Sequence, residues 1–93
     1  MTKAELINQI SLASGYDKKT VGVIVETFMD KVKKNVSEGE NVFLRGFGSF
    51  ISKTRKAKVA RNIWKDLSIA VPSHKIPAFK PAAEFAEQVR KLG

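Results

Sequence analysis

Cysteine is absent from these 93 residues, which excludes a disulfide framework, a thiolate metal site and a cysteine nucleophile. Histidine occurs once, at His74, with no metal-binding or triad partner at an informative spacing. A phosphate loop of the G-x-x-x-x-G-K-S/T type is missing, so nothing here supports an enzyme, a cofactor or a small-molecule substrate. No apolar run approaches the ~20 residues that cross a bilayer. The opening Met1-Thr2-Lys3-Ala4-Glu5 lacks the apolar core of a signal peptide. A soluble, intracellular chain with no membrane partner is expected.

Acidic residues are also scarce, but only in one place. The formal net charge is +8 and the pI is about 10.0. Residues 1–40 carry six bases and six acids, and residues 84–93 carry Glu84 and Glu87 against Arg90 and Lys91. In residues 41–83, nine bases face Asp66 alone, so the whole net charge sits on the middle of the chain. A merely solvated surface does not require that segregation; a surface for phosphates does.

Two amphipathic stretches precede the basic segment. Thr2-Lys3-Ala4-Glu5 has capping-box spacing, and Leu6, Ile7, Ile10 and Ala13 share one helical face, which predicts a helix over Thr2–Ala13. Asp17 then suits the N-cap of a second helix, with Val21, Ile24, Val25, Phe28, Met29, Val32 and Val36 at helical period and Gly39 at its C-terminal cap. Asn41–Arg45 reads as a short strand, and Gly46-Phe47-Gly48 as a tight bend. From Gly48 the chain runs through Lys53, Arg55, Lys56, Lys58, Arg61 and Lys65, and returns on alternating Leu67, Ile69 and Val71. That pattern predicts a long two-stranded β-ribbon with an apolar tip. Pro72–Pro77 is expected at a sheet edge or in an extended connection, with Ala78-Phe79-Lys80 pairing again. Pro81 suits the first position of a last helix, on which Phe85, Val89 and Leu92 share a face.

An isolated hairpin is at best marginally stable in water, so the ribbon needs another macromolecule to lie on. The second helix is apolar over more surface than so short a chain can cover, because small domains bury only about 60% of their unfolded surface. An obligate dimer is therefore expected, with Phe28, Val32, Phe47, Phe50 and Phe79 as its shared core.

Gly46-Phe47-Gly48-Ser49-Phe50, the basic arm up to Arg61-Asn62, and Ile76-Pro77-Ala78-Phe79-Lys80-Pro81 occur together behind two amphipathic helices. In that combination and spacing the chain resembles, over its whole length, the HU/IHF family of bacterial histone-like DNA-bending proteins. The resemblance implies an α+β fold: an intertwined dimer with two N-terminal helices, a three-stranded antiparallel sheet with a long β-ribbon arm, and a short C-terminal helix. It also implies a single DNA-binding domain over residues 1–93. Within it, 1–40 form the helical dimerisation region, 41–81 the sheet and arm with its tip near 60–66, and 82–93 the last helix. The arm tip departs from the family pattern of Arg-Asn-Pro followed by glycine. Ile63 stands at the wedge position of the proline, Ala60 replaces a usual glycine, and Asp66 replaces the later one.

The function implied is non-enzymatic: a cytoplasmic, nucleoid-associated protein that binds double-stranded DNA with little sequence specificity and bends or compacts it. Lys53 and Arg55 alternate with Lys56 and Lys58 onto the two faces of the ribbon, within reach of phosphates on both groove walls. Arg61 and Asn62 are the candidates for the floor of a minor groove that offers mainly acceptors. Ile63 is the candidate wedge, and Trp64 either stacks on a base or packs back on the arm. Lys65 belongs to the same basic run, Lys75 and Lys80 extend the track onto the body, and Lys3 is a weaker candidate. The dimer is either homomeric or formed with a paralogue. A general polyanion-coating or RNA-coating protein, with Trp64 stacking on unpaired bases, is the alternative.

Overall fold

A computed structural model describes the backbone of residues 1–56, 58–62 and 67–93 and the side chains of residues 1–56 and 72–93. The chain divides into two compact units, Met1–Lys34 and Asn35–Gly93.

The first unit is built on α1 (Lys3–Ser14) and most of α2 (Lys18–Ser37). Thr2 caps α1 as the sequence predicts: its hydroxyl oxygen accepts the Glu5 N–H at 3.2 Å. The Glu5 carboxylate returns to that hydroxyl, which donates to Oε1 at 3.3 Å. Gly15, with φ of 83°, ends the helix by donating its N–H to the Ser11 carbonyl. Gly22 of α2 faces Ile7 of α1, where a Cβ would sit in ordinary contact 4.0 Å from Ile7 Cδ1. Lys3 Nζ forms an ion pair with Glu26 across the two helices.

Asp17 caps α2. Its carboxylate accepts the Thr20 hydroxyl at 2.6 Å and the Thr20 N–H at 3.3 Å. At the other end, Gly39 adopts φ of 87°, and the Gly39 and Glu40 N–H groups return to the Val36 and Asn35 carbonyls. Val21 and Val36 are buried, but Ile24 and Phe28 are 61% and 43% exposed. Among the described residues these two valines are the only buried apolar side chains, and none is less than 2% exposed. A chain of this length with so little interior leaves much of the apolar stripe of α2 in water.

In the second unit, β1 (Val42–Leu44), β2 (Gly48–Arg55) and β5 (His74–Pro81) form an antiparallel sheet in the order β1-β2-β5. β3 (Lys58–Asn62) and β4 (Leu67–Val71) form a separate two-stranded pair. The β1–β2 turn closes by a 3.0 Å bond from Phe47 N–H to the Leu44 carbonyl. It passes through Gly46 at φ of 80°, a conformation that side chains resist at the third position of such a turn. Past the start of β1, the Asn41 side chain stands in for a strand and accepts the Ser52 N–H at 3.2 Å.

The last helix, α3 (Ala83–Arg90), starts two residues later than Pro81 predicts. Pro81 is the final residue of β5, paired with Gly48 on an edge strand where its missing N–H is tolerated. The next amide, of Ala82, donates to the Phe47 carbonyl at 2.9 Å, so the helix begins only after this tether. Pro77, likewise, sits inside β5 at the sheet edge, opposite Ser52.

A Cβ at Gly48 would lie 2.6 Å from both the Lys80 carbonyl oxygen and the Phe79 ring. Gly48→Ala should therefore cost about 1–3 kcal/mol, the range for overpacking, seen as a lower urea midpoint; a variant as stable as wild type would show that β5 yields at this point. The Thr20 hydroxyl bond, with the Thr20 N–H, holds the Asp17 carboxyl below its ordinary value. Because the folded chain binds this proton more weakly than the unfolded one, the stabilisation is complete above the unfolded pKa and disappears as pH falls through the folded one. Wild type should exceed Asp17→Ala in melting temperature at pH 7, and the gap should close in acid.

Candidate nucleic-acid interface

The geometry of the basic segment follows from one register. β2 and β5 pair from Gly48 with Pro81 to Arg55 with His74, and β3 and β4 pair from Lys58 with Val71 to Asn62 with Leu67. The second set keeps the numerical alignment of the first, although β3 and β4 form a sheet of their own.

Strand alternation then sorts the side chains of the sheet. One face takes Phe50 and Phe79, which are partners, together with Val42 opposite Phe50. There Phe47, Phe50, Phe79 and Phe85 cluster, with ring centroids 4.9 Å apart for Phe50 and Phe79 and 5.2 Å for Phe47 and Phe79. Phe85 of α3 stacks on Phe47 at 5.6 Å and an interplanar angle of 11°, placed there by the Ala82 tether. The expected core residues Phe47, Phe50 and Phe79 thus come together, with Phe85 as a fourth member. Phe28, half-exposed, and Val32 lie on α2 in the first unit.

The opposite face carries Lys53, Arg55 and Lys80, paired with Ile76, His74 and Ser49. All three cations are exposed, and β1, β2 and β5 contain no acid. The charged groups of this face are all cations, which suits phosphate oxygens, and they stand beside the apolar Ile51, Ile76 and Ala78. Among the described residues no His, Asp and Glu cluster could hold a metal ion.

The other predicted site residues are placed as follows. Lys53 and Arg55 share a face, as the alternation predicts. Lys75 pairs with Thr54 and so projects from the aromatic face, not with Lys80 as a continuous track. Lys56 is exposed and lies between β2 and β3. Lys58, Arg61 and Asn62 belong to β3, where the backbone is described. Ile63, Trp64 and Lys65 lie outside the described residues. Lys3 is engaged by Glu26 rather than standing alone. Arg45 has no ion pair with Glu38 or Glu40 and is exposed beside the β1–β2 turn. Two residues were missed: Phe85 in the aromatic cluster, and Phe43, whose outward direction is legible in the alternation of Val42-Phe43-Leu44.

Residues 1–90 match the profile of the bacterial DNA-binding protein family. DNA-binding protein HU of Thermus thermophilus is 35% identical over 91 residues, covering 98% of this chain and 94% of that protein. The chain belongs to the HU/IHF family of bacterial DNA-binding proteins. A more distant relative is the integration host factor alpha subunit of Actinobacillus pleuropneumoniae, 29% identical over 92 residues and covering 99% of this chain and 94% of that subunit. Among solved structures, an Anabaena HU–DNA cocrystal structure superposes with a TM-score of 0.89 at 32% identity, covering 96% of this chain and 97% of that one. The three helices and three-stranded antiparallel sheet are therefore the α+β HU fold. HU/IHF proteins are non-enzymatic architectural DNA-binding proteins, and this member is one of them.

Proposed function

We propose that the chain works as a nucleoid-associated dimer in the cytoplasm that lays two basic β-arms in the minor groove of double-stranded DNA and bends it, with little sequence preference. The observation that carries this reading is the alignment shared by the β2–β5 and β3–β4 pairs, combined with the placement of the whole net charge on residues 41–83. Five paired residues beyond the sheet reach roughly 17 Å, or about five phosphates on each strand of a duplex. The HU/IHF family is itself a standard example of minor-groove proteins that insert apolar wedges between base steps. In this chain Ile63 takes the wedge role, Arg61 and Asn62 contact the groove floor, and Lys53, Arg55, Lys56, Lys58, Lys65 and Lys80 hold phosphates. Trp64 lies against the neighbouring sugar or base. Lys75 serves the same track from the other face, and Lys3 contributes only when it leaves Glu26.

Residues 1–93 form one DNA-binding domain in this reading. Dimerisation covers α2 and the aromatic cluster, because Ile24 and Phe28 are otherwise left in water. A copy of the same chain or a paralogue supplies the missing surface.

Bending a short site by 40–90° costs ~1–6 kcal/mol, which the added phosphate contacts along the flanks offset. With roughly six to ten phosphates neutralised, affinity should fall about 10³–10⁵-fold between 50 and 200 mM salt. End-to-end energy transfer on a short duplex, with anisotropy reporting binding, should rise steeply on titration, and Ile63→Ala should remove the rise while largely keeping the binding. Binding without any rise would mean a coating protein, and a preference for single-stranded RNA in competition would favour the alternative reading. For the dimer, the melting temperature of the free protein should climb with protein concentration and Phe28→Ala should lower it; a concentration-independent melt with monomer mass in sedimentation would refute dimerisation.

A further inference from the structure

Phe43, at the centre of β1, is 73% exposed, the most exposed phenylalanine of the chain. Its neighbours Val42 and Leu44 pair with Phe50 and Gly48 on the aromatic face and are half-buried. Phe43 projects the other way. Its partner across the sheet is Ser49, whose partner in turn is Lys80, so Phe43, Ser49 and Lys80 form one row. That row lies on the face that carries Lys53 and Arg55 and no acid. Among the described residues no other aromatic ring stacks on Phe43, and the cluster of four lies on the opposite side.

A large apolar ring held in water on a sheet face that carries three cations and no acid needs an occupant that is both anionic and flat at its surface. Charge complementarity selects a polyanion, and a nucleic-acid duplex presents sugar and base edges between its phosphates. We infer that Phe43 is a second apolar DNA contact, on the sheet rather than at the arm tip, lying against deoxyribose and base edges of a duplex whose phosphates are held by Lys53, Arg55 and Lys80. This rests on the DNA-binding reading above and adds a component of affinity that releases no counterions. The arm tip then makes one apolar contact with the duplex, and the sheet makes another.

Salt dependence separates this contact from a charged one. Binding to a short duplex is measured by anisotropy over a salt series for wild type, Phe43→Ala, Phe43→Tyr and Lys80→Ala, with sedimentation reporting the oligomeric state. Phe43→Ala should bind about five- to tenfold more weakly at every salt concentration, as for a lost aromatic contact, with an unchanged log–log slope. Phe43→Tyr, which keeps the ring, should bind like wild type, and Lys80→Ala should lower the slope by about 0.9 for each copy of the chain in the complex. Unchanged affinity of Phe43→Ala overturns the inference, as does a loss accompanied by a shallower slope. A shift of Phe43→Ala towards lower mass, with wild-type affinity regained at concentrations that restore the assembly, also overturns it and assigns the ring to a second copy of the chain. Failure of wild type to bind duplex at any salt would overturn the DNA reading and this inference with it, whereas the variant outcomes bear on Phe43 alone.

Discussion

The antiparallel alignment between residues 48–62 and 67–81 is the constraint on which the second unit depends. Because side-chain direction reverses at every residue, a slip of β5 by one position would turn its whole set of side chains over relative to β2. Phe79 would then project with Lys53 and Arg55, and Lys80 would lie beside Phe50. Gly48 helps to pin the alignment, since the ring of Phe79 and the Lys80 carbonyl occupy the space of its absent side chain. The chain thus separates an apolar face from a cationic one by register alone.

The same alignment links local turns to the position of the last helix. Gly46 permits the turn that brings the Phe47 carbonyl to the Ala82 amide, and that bond sets α3 so that Phe85 stacks on Phe47. Four rings at centroid separations of 4.9 to 6.2 Å stand in for the large aliphatic core that this unit lacks. Tilted and offset ring pairs of this kind are favourable beyond the area they bury. The rings remain partly exposed, as do Ile24 and Phe28 on α2.

Electrostatics and packing divide the work along the chain. Residues 1–40 and 84–93 carry balanced charge, and one of the cations, Lys3, is paired with Glu26. The excess charge is confined to residues 41–83, and groups of that sign suit phosphates, contacts that position a duplex but carry no sequence information themselves. Phe43 adds an exposed apolar ring to the sheet face that carries Lys53, Arg55 and Lys80.

Element boundaries and the basic arm were largely legible in the sequence, because caps, alternation and charge segregation are local signals. Thr2, Asp17 and Gly39 act as caps where the pattern puts them, and the strand containing Lys53 and Arg55 alternates as its sequence implies. Pro81 was misleading: its preference for a helix start is local, whereas the pairing with Gly48 and the Ala82–Phe47 bond that hold it in the sheet are not. Lys75 and Lys80 look alike in sequence, yet the alignment of β5 on β2 sends them to opposite faces. Composition and periodicity by themselves determined a basic, cysteine-free α+β chain with two helices and a ribbon, since those properties depend on residues near one another along the chain. Only the tertiary structure decided which side chains share a face, that Phe85 completes the aromatic cluster and that Phe43 stands among cations, because each of these depends on partners brought together across strands.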